Sequence, residues 1–352
     1  MNTQELITTA KALVAGDKGL LAMDESTSTC NKRFARLAIP QTEQARRAYR
    51  ELIVTTPSLG ECISGVIFYD ETIRQKKSDG TPFLKIIIDA GIIPGIKVDS
   101  GAKQMAGHPA EKVTEGLDGL RDRLQDYFKM GARFAKWRGV IAVGNSLPSR
   151  ACIEANAHAL ARYAALCQEV GLVPVIEPEV LMAGSHTLER CREVTSEVLK
   201  TVFDQLYRQG VMLEGMILKP NMLLPGLSAP DQETVDEVAD VTVRCLLCAV
   251  PAAVPGIAFL SGGQAGELAS ARLNAMNLKF KPRLPWALAF SFARAIQQPA
   301  LKIWQGLDTK VQAAQQALYH RAKCNQAARR GEYDAALEES PTSIPQRVRP
   351  AA

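Results

Sequence analysis

Histidine is scarce in this 352-residue chain: His108, His158, His186 and His320 are the only four, and none stands at metal-ligand spacing from another. A metal centre built on histidine is therefore not expected, and no metal or other cofactor is. Long apolar runs are missing too. The longest, around residues 245–260, is interrupted by Pro251, Pro255 and Gly256 and falls short of the ~20 residues that cross a bilayer, so no membrane partner is expected. No GxGxxG follows the first apolar run and no GxxxxGK[ST] occurs anywhere, which disfavours dinucleotide and ATP binding. Charge of one sign is not in excess: 42 Lys and Arg against 37 Asp and Glu give +5, too little for a nucleic-acid surface but suited to small anions.

What is present reads as a large α/β protein. Apolar residues make up 47% of the chain, enough for an extensive core. The opening "MNTQELITTAKALVAG" has no basic region ahead of an apolar block. Its Leu6, Ile7, Ala10, Leu13 and Val14 recur at helical spacing, predicting an amphipathic helix ended by Gly16. Eight cysteines (Cys30, Cys62, Cys152, Cys167, Cys191, Cys245, Cys248, Cys324) are scattered through apolar elements, which fits reduced thiols and a cytoplasmic location. The one CxxC, Cys245–Cys248, sits in the apolar stretch "VTVRCLLCAV" with no second pair and reads as buried structural thiols.

Eight short β-rich runs alternate with helical stretches: 19–26, 62–71, 93–101, 132–140, 172–180, 214–222, 256–264 and 285–294. The segment 151–170 carries Ala, Leu and charges at a period of 3.6. Eight βα units predict a closed (βα)8 TIM barrel occupying residues 1–337 as a single catalytic domain, with a mobile tail over 338–352. The polar residues cluster at the ends of the runs: Asp24, Lys97, Lys136 and Arg138, Glu177 and Glu179, Lys219, Ser261, Arg294. Barrel enzymes build their sites at the carboxyl ends of strands, so the fold predicts that these residues share one mouth. Side chains alternate along a strand, which puts Lys136 with Arg138 and Glu177 with Glu179 on common faces.

Lys219 ends the buried-looking run "EGMILKPNM". Holding an amine out of water costs several kcal/mol unless it is paired or chemically used. Beside other cations it is pushed towards its neutral, nucleophilic form. It can then form an imine with a ketone or aldehyde, with Glu177, Glu179 and Asp24 as proton carriers. After the seventh run, "LSGGQ" supplies the backbone N–H groups of Gly262 and Gly263 ahead of a helix, and Arg294 closes the eighth, a place where barrels bind phosphate.

"AMDEST", "GIKVD", "FAKWR", "VIEPE", "EGMILKPNM", "FLSGGQ" and "FARAIQ", with "GLDGL" and "QARRAYR", resemble in order and spacing the motifs of class I fructose-bisphosphate aldolase, over about residues 5–335. The resemblance implies a Schiff base on Lys219 and a Glu177 acid–base group for carbinolamine dehydration. It gives Asp24 to the C4 hydroxyl during carbon–carbon cleavage, with Lys136 and Glu179 completing the charged network. It maps one phosphate pocket to Ser261, Gly262 and Arg294 and the other to Ser26, Lys97 and Arg138, with Arg33 nearby. It further implies phosphorylated sugar substrates, a cytosolic homotetramer, a role in glycolysis and gluconeogenesis, and no metal. Thr29 stands where serine is usual and Ala293 where glycine is common; no tyrosine follows Tyr333, so enamine protonation is left without an assigned group. The readings kept beside this one are a metal-dependent aldolase, a Schiff-base enzyme for another phosphorylated sugar, and a non-catalytic scaffold.

Overall fold

A computed structural model describes residues 2–339. The 340–352 part of the expected tail lies outside the described residues, whereas Glu338 and Glu339 close a helical turn, Ala336–Glu339.

Among the described residues ten strands form: β1 Gly19–Ala22, β2 Ile63–Phe68, β3 Ile93–Lys97, β4 Gly101–Gln104, β5 Lys112–Glu115, β6 Phe134–Ile141, β7 Val173–Val180, β8 Ile217–Leu218, β9 Gly256–Phe259 and β10 Ala287–Phe292. Eight of them close a barrel in the order β1-β10-β9-β8-β7-β6-β3-β2, with every neighbour pair parallel. Seven of these eight fall inside the runs read from the sequence, and β6 extends one residue past its run, to Ile141. β8 is only two residues long because Pro220 has no N–H to give; Lys219 N still donates to Ile176 O at 2.8 Å, and on the other side Pro220 O accepts from Leu260 N at 3.0 Å.

The remaining strands, β4 and β5, form an antiparallel hairpin between β3 and β6. It was not visible in the sequence, since "GAKQ" and "KVTE" lack an alternating apolar face. Thr114 of β5 donates from Oγ1 to the Arg138 carbonyl at 2.7 Å, so the hairpin fastens onto the strand end that presents Arg138.

The core has two layers. One lies between the strands and the surrounding helices. The other fills the barrel, where Leu20, Ile67, Phe134, Val175, Ile217 and Ala258 meet the helix Thr3–Leu13. Leu6, Ala10 and Leu13 of that helix, with Val14 after it, are buried, as the spacing predicts. Each large aliphatic side chain buried this way contributes roughly 1.5–3 kcal/mol. Phe134 fits because β3 offers Gly95 at that level: a Cβ there would lie 2.3 Å from the Phe134 ring. With its amino-terminal end plugged, the barrel is open to substrate at the carboxyl ends of its strands.

The stretch read as helical at 151–170 forms a helix over Arg150–Val170, capped by Ser149, whose Oγ accepts from Cys152 N, and ended by Gly171 at φ +93°. All eight cysteines are free thiols. Of the CxxC pair, Cys245 is buried and Cys248 is exposed. No helix among the described residues is long and apolar enough to cross a membrane.

Candidate active site

The carboxyl ends of the strands enclose a cleft of about 780 Å³. Asp24, Ser26, Arg33, Lys97, Lys136, Arg138, Glu177, Glu179, Lys219, Ser261, Gly262 and Arg294 all line it. Of the residues singled out from the sequence, Gly263 alone stands behind the lining: at φ +99°, it sits where a Cβ would lie 3.1 Å from the Arg294 guanidinium. That space and that backbone angle both favour glycine.

A chain of alternating charges crosses the floor. Lys219 Nζ lies 3.2 Å from Glu177 Oε1, Glu177 Oε2 lies 2.9 Å from Lys136 Nζ, and Lys136 Nζ lies 2.6 Å from Asp24 Oδ2. Their side chains are all about nine-tenths buried or more, and Lys219 is only 3% exposed. Burial by itself pushes both carboxyls up, but Lys136 and Lys219 outweigh it and hold Asp24 and Glu177 below the usual carboxylate range. Lys136 shows the mirror effect: burial opposes its charge, yet Asp24 and Glu177 hold its ammonium above the usual lysine value. Asp24, Glu177 and Lys136 are therefore ionised at neutral pH, with Glu177 in contact with Lys219.

Glu179 is spent differently from Glu177. It accepts from Arg138 through Nε and Nη2, so it steadies Arg138 rather than touching Lys219. Lys97 is turned onto Asp99, 2.5 Å from Oδ1 and 2.9 Å from the carbonyl. Asp99 Oδ1 also accepts from Gly101 N. The sequence motif "GIKVD" contained Asp99, but nothing in the pattern separated it from a turn residue.

Ser26 caps the helix Thr27–Ala35 by accepting from Thr29 N, and its hydroxyl lies 3.1 Å from those of Ser28 and Thr29. Ser26, Ser28 and Thr29 line the cleft, as do Ser261 and Gly262, the latter at φ +59°. Arg294, by contrast, makes no ion pair among the described residues. Hydroxyls at a helix amino end, a glycine turn and an unpaired guanidinium are donors of the kind that can hold an anion.

Behind Asp24 lies a buried cluster that the sequence did not reveal. Arg33 and Arg50 both bind the Glu25 carboxylate, at 2.5 and 2.7 Å, and Arg50 also donates to the Glu25 carbonyl at 3.3 Å. Gln297 donates from Nε2 to Ala22 O and accepts from Tyr49 OH at 2.8 Å and Arg33 at 3.1 Å. The residues on either side of Met23 and Asp24 are thereby clamped. Arg50 and Gln297 stood inside quoted motifs, yet only the tertiary fold shows that Gln297 reaches the end of β1 and Arg50 the Glu25 that follows it. The cleft's carboxylates, Asp24, Glu25, Asp99, Glu177 and Glu179, are each engaged by a lysine or arginine; that donor set favours anion chemistry over metal binding.

A family model described as class-I fructose-bisphosphate aldolase matches residues 5–347. A probable class 1 fructose-bisphosphate aldolase of Xanthomonas campestris is 56% identical over 334 residues, covering 95% of this chain and 99% of the relative. Cytosolic fructose-bisphosphate aldolase 6 of Arabidopsis thaliana is 50% identical over 337 residues, covering 95% and 94%. Among solved structures, the fructose-bisphosphate aldolase of Plasmodium falciparum, crystallised with TRAP and a small-molecule inhibitor, superposes with a TM-score of 0.92 at 45% identity over 94% of this chain and 96% of that one. The strand-end motifs, the barrel and the near-complete coverage agree that the chain belongs to the class I fructose-bisphosphate aldolase family.

Proposed function

We propose that the chain cleaves fructose 1,6-bisphosphate reversibly to dihydroxyacetone phosphate and glyceraldehyde 3-phosphate through an imine on Lys219. The observation that carries this is the Lys219–Glu177 contact at 3.2 Å in a nearly dry wall of the cleft. Anionic Glu177 takes a proton from the Lys219 ammonium. The freed amine attacks the C2 carbonyl, and Glu177 returns the proton to the carbinolamine hydroxyl, which leaves as water. The resulting iminium withdraws electrons from C3. Asp24 accepts the C4 hydroxyl proton, the C3–C4 bond breaks, its electron pair passes into the enamine, and the aldehyde product departs. The enamine is then protonated at C3 and hydrolysed to release the ketone and regenerate Lys219.

Lys136 stays charged throughout, favouring the anionic forms of Asp24 and Glu177 between proton transfers and fixing their separation. Ser261, Gly262, Gly263 and Arg294 receive the phosphate on the ketone side. Ser26, Lys97 and Arg138 receive the other, with Arg33 close by; for Lys97 this means exchanging Asp99 for phosphate. Residues 1–337 act as one catalytic domain with 338–352 as its tail. The assembly is a cytoplasmic homotetramer serving glycolysis and gluconeogenesis.

Borohydride reduction in the presence of dihydroxyacetone phosphate tests the central step. The expected result is irreversible inactivation with the added mass on the peptide holding Lys219; no adduct at that residue would refute the imine.

A further inference from the structure

Away from the cleft, the helix Val311–Arg330 presents His320 and Cys324 one turn apart, towards the turn Ala336–Glu339. His320 Nε2 lies 3.6 Å from Cys324 Sγ and 3.7 Å from Glu338 Oε2. All three ligand atoms fall within 4.8 Å of one another. None of these residues lines the cleft.

We propose that His320, Cys324 and Glu338 form an exchangeable site for a divalent cation of the zinc class, which staples the Ala336–Glu339 turn to the helix beneath it.

The spacing fits such an ion. Zinc–nitrogen bonds of about 2.0–2.1 Å and zinc–thiolate bonds of about 2.3 Å, opened to a tetrahedral angle, put the two donor atoms about 3.5 Å apart. The His320–Glu338 contact, an ion pair at 3.7 Å when the imidazole is protonated, also suits two ligands facing a common centre.

The second oxygen of Glu338 is occupied in the way that ligating carboxylates are usually supported: Oε1 accepts from Tyr333 OH at 2.7 Å and from Arg321. Arg321 in turn donates to Ser270 Oγ at 2.7 Å. Glu338 is thus pre-oriented with Oε2 turned towards His320. The donor set of thiol, imidazole and one carboxylate favours zinc over magnesium or calcium, which prefer oxygen alone. Three protein ligands leave one tetrahedral position to water, which makes the ion exchangeable. Binding breaks the Cys324 S–H bond, forms the metal–thiolate bond and releases the proton to solvent, with no change of oxidation state.

Cobalt(II) is the probe, because a thiolate ligand gives it an intense near-ultraviolet charge-transfer band together with visible d–d bands. Added to the purified full-length chain, it should give both, saturating at one equivalent and lost on adding zinc. Cys324→Ala should abolish the charge-transfer band, His320→Gln should weaken binding at least tenfold, and Cys245→Ala, remote from the three ligands, should leave the spectrum unchanged. Zinc should raise the thermal midpoint of the parent chain and not that of Cys324→Ala. A spectrum without the thiolate band, or a band that survives in Cys324→Ala, would overturn the site. His320→Gln is the independent check should Cys324→Ala fold poorly: unaltered cobalt binding in it also refutes the proposal.

Discussion

The Lys136 ammonium lies 2.6 Å from the Asp24 carboxylate, although their strands, β6 and β1, are separated around the barrel by β3 and β2. The bond therefore spans the mouth, and the same ammonium reaches Glu177 on β7 at 2.9 Å. One cation sets the distance between the two carboxylates assigned to carbon–carbon cleavage and to imine formation.

Lys136→Met should therefore damage both stability and chemistry. It leaves two buried carboxylates short of a partner, and breaking a buried ion pair costs about 3–5 kcal/mol. Urea unfolding should show a loss on that scale, together with a fall in kcat. A variant as stable as the parent would contradict the pairing.

Asp24→Asn and Glu177→Gln should separate the two halves of the reaction. Asp24→Asn should still be trapped by borohydride with dihydroxyacetone phosphate while cleaving the bisphosphate about 10²–10⁴-fold more slowly, the usual range for losing a general base. Glu177→Gln should slow trapping itself. Equal rates of trapping in the two variants would sink this division of labour.

The phosphate assignments predict a difference between substrates. Arg138→Ala should lower kcat/KM for fructose 1,6-bisphosphate by roughly ten- to a hundredfold, the worth of one charge-assisted hydrogen bond of about 1.5–3 kcal/mol. Fructose 1-phosphate has no second phosphate and should be affected far less. Parallel losses on both substrates would place Arg138 outside that subsite.

Acid should weaken the fold in a defined window. Asp24 and Glu177 have folded values below their unfolded ones, so their contribution is complete above the unfolded carboxyl pKa of about 4 and is lost as pH falls through the folded values. Lys136, held above its ordinary value, contributes fully below about pH 10 and loses that contribution only at higher pH. Unfolding midpoints measured from pH 2 to pH 8 should fall steeply at the acid end in the parent chain and less steeply in Asp24→Asn. Parallel acid limbs would show that the chain of charges does not drive the effect.

Gln297→Leu removes the donor to Ala22 O and the acceptor for Tyr49 and Arg33. Because the clamp lies next to Asp24 and not Lys219, cleavage should slow while dihydroxyacetone phosphate trapping persists. A proportional loss of both would reduce Gln297 to a general packing role.

The sequence by itself determined the repeat and the chemistry of the mouth. Apolar runs ending in Asp24, Lys97, Lys136, Glu177 and Lys219 can alternate with amphipathic helices in few ways, and a closed parallel barrel sends every such ending to the same side. The amphipathic N-terminal helix was legible for the same reason: Leu6, Ala10 and Leu13 carry a period that needs a surface to bury against, though not that this surface is the barrel interior. Pairing was decided only in three dimensions. Glu177 and Glu179 look alike in "VIEPE", yet one lies between Lys136 and Lys219 while the other is held by Arg138. Gln297 reaches Ala22 of β1 and Arg50 reaches Glu25 just beyond it, each from another helix, and β4 and β5 form without an apolar pattern because their hydrogen bonds, not a buried face, hold them. Periodicity records which way a side chain points; which partner it meets depends on register and on the closure of the barrel, and these are properties of the whole chain.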